Sequence, residues 1–181
     1  MFTKESRIKR LEGSPSATAA KLIHNGNAVA IYTKGMEYGP RALGARSILA
    51  APTDAKINDT LNSRLGRSEF MPFAPVIAEE DSEEVFEIDG ANRYATKFMT
   101  ITCKVAKNWR NRIPAVVHVD GTARPQIIKR TTNRLYYDIL KSYAAISGIP
   151  VLINTSFNAH EEPIINRPEE CARALLEYRI D

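Results

Sequence analysis

At 181 residues the chain is long enough for one domain with a real core and too short for two ordinary ones. Its 44% apolar and 25% charged residues are globular values, and no apolar run approaches the ~20 residues of a membrane span. The polar opening MFTKESRIKRLEGSPS is not a secretory signal, and two cysteines, Cys103 and Cys171, with three unclustered histidines argue against a disulfide framework or zinc site. A reducing cytoplasm fits that usage best.

The first 13 residues read as an arm or linker, and residues 14–181 as the domain. A helix is predicted in SPSATAAKLIHNG, started by serine and Pro15 and stopped at Gly26. AVAIYT (28–33) reads as a buried strand, and SILA (47–50) as a short one after the glycine-punctuated EYGPRALGAR. Thr53 is expected to cap a helix in DAKINDTLNSRL, whose Ile57, Leu61 and Leu65 recur every four residues. FAPVIA (73–78) follows as a strand, then the acidic run EEDSEEVFEIDG as a short exposed helix. KFMTITCKV (97–105) alternates as a half-buried strand would, and PAVVHVD (114–120) reads as a buried strand opening into polar residues. NRLYYDILKSYAAISG is a strong amphipathic helix, IPVLIN (149–154) a buried strand, and RPEECARALLEY a last helix with Pro168 near its start. This partial alternation predicts an α/β (α+β-like) domain, a twisted mixed β-sheet flanked by helices. The stop directly after EYRID, following a helix, suggests a piece of something longer.

The net charge of +4 conceals a segregation, because residues 79–90 carry seven of the 21 acids and no base. The remainder holds 25 bases against 14 acids, and arginines outnumber lysines 15 to 10, a tilt toward forked recognition of phosphate or carboxylate. A solvated surface accounts for most single arginines, but Arg41, Arg46 and Arg124 sit among Gly, Pro and apolar residues. No G-x-x-x-x-G-K-[ST] cradle and no G-x-G-x-x-G loop is present. Three clusters at strand ends remain: EYGPRALGARSILA (37–50), HVDGTARPQ (118–126) and NTSFN (154–158). Their short polar side chains suit a polar ligand, although NTSFN and DGT are also respectable turns, with Asp120 as a cap. Arg64 and Arg67 end the second helix, where they either reach a ligand or complement the helix dipole.

In order, GMEYGPRALGARSILA, LNSRL with MPFAP, HVDGTARPQ and PVLINTSFNAHEEPI resemble the C-terminal domain of the nodulation-type O-carbamoyltransferases, from about Ala20 to the last residue. The resemblance implies a YrdC-like fold and a domain that converts carbamoyl phosphate and ATP into carbamoyl-adenylate, releasing pyrophosphate. A larger N-terminal domain, of actin/sugar-kinase type and holding iron, would then move the carbamoyl group to a hydroxyl of a small acceptor. Nothing in this chain looks like that partner, so iron is expected only there. By the same resemblance Arg41, Arg46 and Arg124 serve the phosphates and the transition state. Asn154, Ser156 and Asn158 grip nucleotide phosphate and ribose. His118, Asp120 and Thr122 orient the arginines or the carbamoyl group. ATP comes with Mg²⁺ bridging its phosphates, and no dedicated protein metal ligand is expected.

The chain departs from the family where members carry Lys-x-Arg and an arginine before PFAP: Gly66, Arg67, Ser68 and Met71 stand there, leaving Arg64 and Arg67 as substitutes. Glu161 also stands where many members have Gly. Two other readings follow: an RNA-binding YrdC-like module using the basic surplus, or a structural partner domain that has lost its chemistry. The absence of an aromatic-rich recognition strand weighs against nucleic acid.

Overall fold

The computed structural model describes residues 12–67 and 72–181. Most of the predicted arm, and Ser68 to Met71 of the divergent segment, lie outside them. Helices are α1 (Pro15–His24), α2 (Ile57–Arg64), α3 (Ser82–Val85), α4 (Lys107–Arg110), α5 (Arg134–Ser147) and α6 (Pro168–Leu176). Strands are β1 (Val29–Tyr32), β2 (Arg46–Ala50), β3 (Ala74–Ala78), β4 (Cys103–Lys104), β5 (Thr122–Ala123), β6 (Gln126–Ile128) and β7 (Val151–Ser156).

Five strands form a mixed sheet in the order β1-β2-β7-β3-β6, as the α/β reading required; β4 and β5 make a separate ribbon. All neighbours in the large sheet are antiparallel except β3 and β6. β2 and β3 are buried along their whole length, and β7 at every residue but Ser156, so both faces of the central strands are covered. Helix α5 supplies much of that cover, packing on β3 and β7 and side by side with α1. Its buried Tyr136, Ile139, Leu140 and Tyr143 fall on one face at helical spacing. Asn133 caps it through the Tyr136 N–H, and Gly148 closes it at a φ of 69°.

The antiparallel arrangement puts particular chain ends side by side. Asn154 near the end of β7 pairs with Ala74 at the start of β3. Ser47 at the start of β2 pairs with Ser156. Because β6 runs parallel to β3, its first residue, Gln126, faces Val76 near the same edge. Three clusters far apart in sequence therefore meet at one end of the sheet.

Three local expectations fail. Thr53 does not cap α2; Lys56 occupies that position, and Asp54 Oδ1 accepts from the Lys56 N–H to form the preceding turn. KFMTITCKV is not a strand: Ala95–Phe98 is a 3₁₀ turn and Met99 adopts a left-handed φ of 55°, leaving two paired residues. The alternation registered burial, since Met99, Cys103 and Val105 are all in the core, without registering backbone. PAVVHVD is likewise a 3₁₀ turn, Pro114–Val116, followed by a tight loop in which the His118 N–H donates to the Thr122 carbonyl. Edge pairing falls instead to β6, for which no strand was expected. The acidic run is a 3₁₀ turn continuing into α3, and it is countered by neighbours: Lys129 pairs with Glu79, Lys141 with Asp81 at 2.7 Å, and the Tyr137 hydroxyl with Glu80.

Candidate active site

A cleft of about 250 Å³ opens at the shared end of the sheet. Pro40, Arg41 and Ala42 line it from the loop before β2, and Arg67, Pro72, Phe73 and Ala74 from the approach to β3. Met99, Arg124, His160 and the β7 residues Asn154, Thr155 and Ser156 complete it. Three arginines thus line one space, and among the described residues no carboxylate is in its lining.

Each arginine is held differently. Arg67 donates from Nη1 to Thr155 Oγ1 at 2.9 Å and lies over the Phe73 ring; burial pulls its pKa below the usual arginine value. Arg124, between β5 and β6, is also lowered, first by burial and then by the charge of Arg41. Like charges brought this close, with no acid beside them among the described residues, are stabilised by an anion. Arg41 is exposed at the mouth.

The fourth arginine goes elsewhere. Arg46, the first residue of β2, is 2% exposed and does not line the cleft. Its Nη1 donates to the carbonyls of Thr33 (2.7 Å) and Ala45 (2.9 Å), its Nη2 to that of Lys34 (3.1 Å), and its guanidinium lies 3.8 Å from the centre of the Tyr32 ring. A catalytic role for Arg46 is therefore corrected to a structural one: it ties β1 to the loop that carries Arg41. The anion around which that loop is wound is its own Glu37, whose Oε1 accepts from the N–H groups of Leu43 (2.7 Å), Ala45 (2.6 Å) and Arg46 (3.3 Å).

Below the loop lies a buried polar lattice. Asn154 Nδ2 donates to the Ala42 carbonyl (2.9 Å) and to Gln126 Oε1 (2.8 Å). Gln126 Nε2 donates to the Leu43 carbonyl, and the Tyr136 hydroxyl donates to Gln126 Oε1. Asn133 Nδ2 reaches the Gly44 carbonyl. Gly44 has a φ of +112°, and a Cβ there would lie 2.3 Å from Tyr136 Cδ1, so the residue must be glycine for the loop to rest on that ring. Gln126, Tyr136, Asn133 and Glu37 were not among the site residues anticipated. Gln126 and Glu37 fall inside quoted motifs, but no spacing rule marked them.

The remaining candidates divide. Ser156 lines the cleft, and both its hydroxyl and its carbonyl are near Arg67 Nη2. Asn158 faces away, donating to the carbonyls of Ala159 and Glu162 and fixing the loop after β7. Arg64 of α2 pairs with Asp181 at 2.7 Å, and the same Asp181 oxygen accepts from the N–H of Ala28, the residue before β1, so that arginine is taken up by Asp181. His118, Asp120 and Thr122 form one turn outside the arginine cleft. Thr122 Oγ1 donates to Asp120 (2.7 Å) and meets His118 Nδ1 (3.0 Å). The Thr122 hydroxyl and N–H hold the Asp120 pKa below the ordinary carboxylate value. His118 lines a second, largely apolar depression with Lys56, Asn58 and Val117. Gly121 completes the turn at a φ of +79°, with the Arg110 guanidinium where a Cβ would be.

Fold and site together define a mixed α/β domain with an arginine-lined cleft at one end of its sheet. The chain belongs to the carbamoyltransferase C-terminus family, whose model matches residues 20–181. It is 42% identical over 164 residues to an uncharacterized protein of Methanocaldococcus jannaschii, covering 90% of this chain and 26% of that protein. It is 38% identical over 167 residues to the nodulation protein NolNO of Sinorhizobium fredii, covering 92% of this chain and 24% of that one. The chain thus spans about a quarter of the length of these relatives. Its backbone superposes on part of the crystal structure of HypF from T. kodakarensis with a TM-score of 0.62 at 19% identity, over 95% of this chain and 21% of HypF, a likeness of fold.

Proposed function

We propose that this chain is the carbamoyl-activating part of an O-carbamoyltransferase. One observation carries the reading: Arg41, Arg67 and Arg124 line a single cleft, with no carboxylate among the described residues of its lining. In the proposed reaction carbamoyl phosphate loses its phosphate to water, and a carbamate oxygen then attacks the α-phosphorus of ATP. The products are carbamoyl-adenylate, pyrophosphate and inorganic phosphate. Charge accumulates on phosphoryl oxygens in this displacement, and preorganised cations in a partly dry site stabilise it. Arg67 and Arg124 are the half-buried pair that would hold those oxygens, with Arg41 closing from the mouth and Ser156 adding a hydroxyl. Such a role answers the divergence at residues 64–71, because Arg67 reaches the cleft from inside that segment.

Magnesium would enter on the phosphates. Among the described residues no group of three His, Cys, Asp or Glu side chains could hold a metal ion. Transfer to the acceptor hydroxyl would fall to a larger N-terminal domain, for which the relatives' extra length leaves room.

The test is carbamoyl-phosphate-dependent exchange of labelled pyrophosphate into ATP, measured beside ATP-induced thermal stabilisation. Folded protein that shows neither would refute the reading. RNA binding is the competing outcome; it would appear as affinity for oligonucleotides that ATP does not displace and that salt weakens steeply.

A further inference from the structure

Asn154 presents a polar atom that the fold leaves without a partner. The residue is 3% exposed and lines the cleft floor, and its Oδ1 accepts no hydrogen bond from the protein. Its orientation is not free to flip. Nδ2 spends its two N–H groups on the Ala42 carbonyl and Gln126 Oε1, and Gln126 is fixed in turn by the Leu43 carbonyl and the Tyr136 hydroxyl. Turning the amide over would set oxygen against two oxygens. A buried acceptor held this firmly calls for a donor that the protein does not supply. Around it the cleft offers mainly guanidinium donors, whose natural guests are acceptor-only phosphates. A ligand that belongs here has phosphate oxygens at one end and an N–H group at the other.

Resting on the function proposed above, we infer that Asn154 is the specificity-determining residue for the acyl group: its Oδ1 accepts a hydrogen bond from the amino group of carbamoyl phosphate. Acetyl phosphate is nearly isosteric but carries a methyl group there, and it would leave Oδ1 buried and unpaired. A site built to pair with a substrate N–H rejects the analogue lacking it far better than an apolar pocket rejects an extra methyl. Gln126 is the positioning residue, since it sets which way the Asn154 amide faces.

The test titrates the full chain with inorganic phosphate, carbamoyl phosphate and acetyl phosphate by calorimetry. The expected result is binding of all three, with carbamoyl phosphate at least ~10-fold tighter than acetyl phosphate, equivalent to about 1.4 kcal/mol. Asn154→Leu should bring the two acyl phosphates to within about twofold of each other. Equal affinity of the unmodified protein for both, as when a trapped water already satisfies Oδ1, overturns the inference while leaving the anion cleft standing. Binding of none of the three overturns the proposed function and the inference together. Should the leucine variant fail to fold, the ratio in the unmodified protein decides alone.

Discussion

Replacing Arg46 by methionine separates the structural arginine from the anion-binding ones. Methionine retains much of the buried volume and removes the guanidinium, so the change isolates three hydrogen bonds, to Thr33, Ala45 and Lys34, and the stacking on Tyr32. A hydrogen bond to a charged donor is worth ~1.5–3 kcal/mol where it is fully buried. These carbonyls are only partly buried and regain water, so about 1 kcal/mol each is the appropriate figure, with about 1 kcal/mol more for the cation–π contact. Against this, the variant no longer desolvates a charge whose Nε has no partner. The net expectation is a loss of about 3 kcal/mol, a large share of the ~5–15 kcal/mol that holds a domain folded. Melting temperature should fall by roughly 6–12 °C, given ~2–4 °C per kcal/mol for a chain of this size. The assay is urea and thermal unfolding followed by circular dichroism, with calorimetric titration of phosphate at a temperature where the variant remains folded. Phosphate affinity should then change less than threefold. A variant as stable as the unmodified protein that has lost phosphate binding would refute the assignment and return Arg46 to the ligand.

Arg124→Ala should do the opposite, weakening pyrophosphate binding at least ~10-fold while leaving stability unchanged or slightly raised, because it relieves repulsion from Arg41; a marked fall in melting temperature without loss of binding would count against the cleft. Gly44→Ala should cost ~3 kcal/mol in urea unfolding, since the new Cβ meets the wholly buried Tyr136 ring and the backbone sits at a positive φ. Asp181→Ala should cost only about 1 kcal/mol, because it removes one backbone hydrogen bond and an ion pair that is a third exposed. Stability should also decline in alkali. Burial raises the Tyr136 phenol well above its ordinary value, so folding holds a proton that the unfolded chain releases. The contribution is complete below the ordinary phenol pKa, near 10, and is lost as pH rises from there toward the folded value. Melting temperatures between pH 8 and 11 should show that fall, and Tyr136→Phe should flatten it.

Most of the regular structure was legible in the sequence because it is decided locally. Helix α5 announces itself through its apolar spacing, and the Asn133 cap and Gly148 end found in the structure likewise act within a few residues. β2, β3 and β7 read as apolar runs because both faces of a central strand are covered. The four ordered motifs also identified the family, which the match over residues 20–181 bears out. What local signals could not separate was burial from backbone: residues 97–105 have the alternation of a strand and the path of two turns, since a side chain can be buried from either.

The division of labour among the arginines was decided only by the tertiary structure. Arg41, Arg46 and Arg124 look alike in sequence, each beside small or apolar neighbours. Strand pairing turns Arg46 toward the carbonyls of residues 33, 34 and 45, while the parallel β3–β6 pairing carries Arg124 to the edge where β7 ends. Arg67 reaches the same edge from the far side of α2. The orphan oxygen of Asn154 is equally invisible in the letters, because it exists only once Ala42 and Gln126, 112 and 28 residues away, have taken both of that amide's hydrogens. Composition and periodicity register what each residue does to its own neighbourhood. Which guanidinium faces a ligand depends on which strands lie side by side, and contacts between distant parts of the chain settle that.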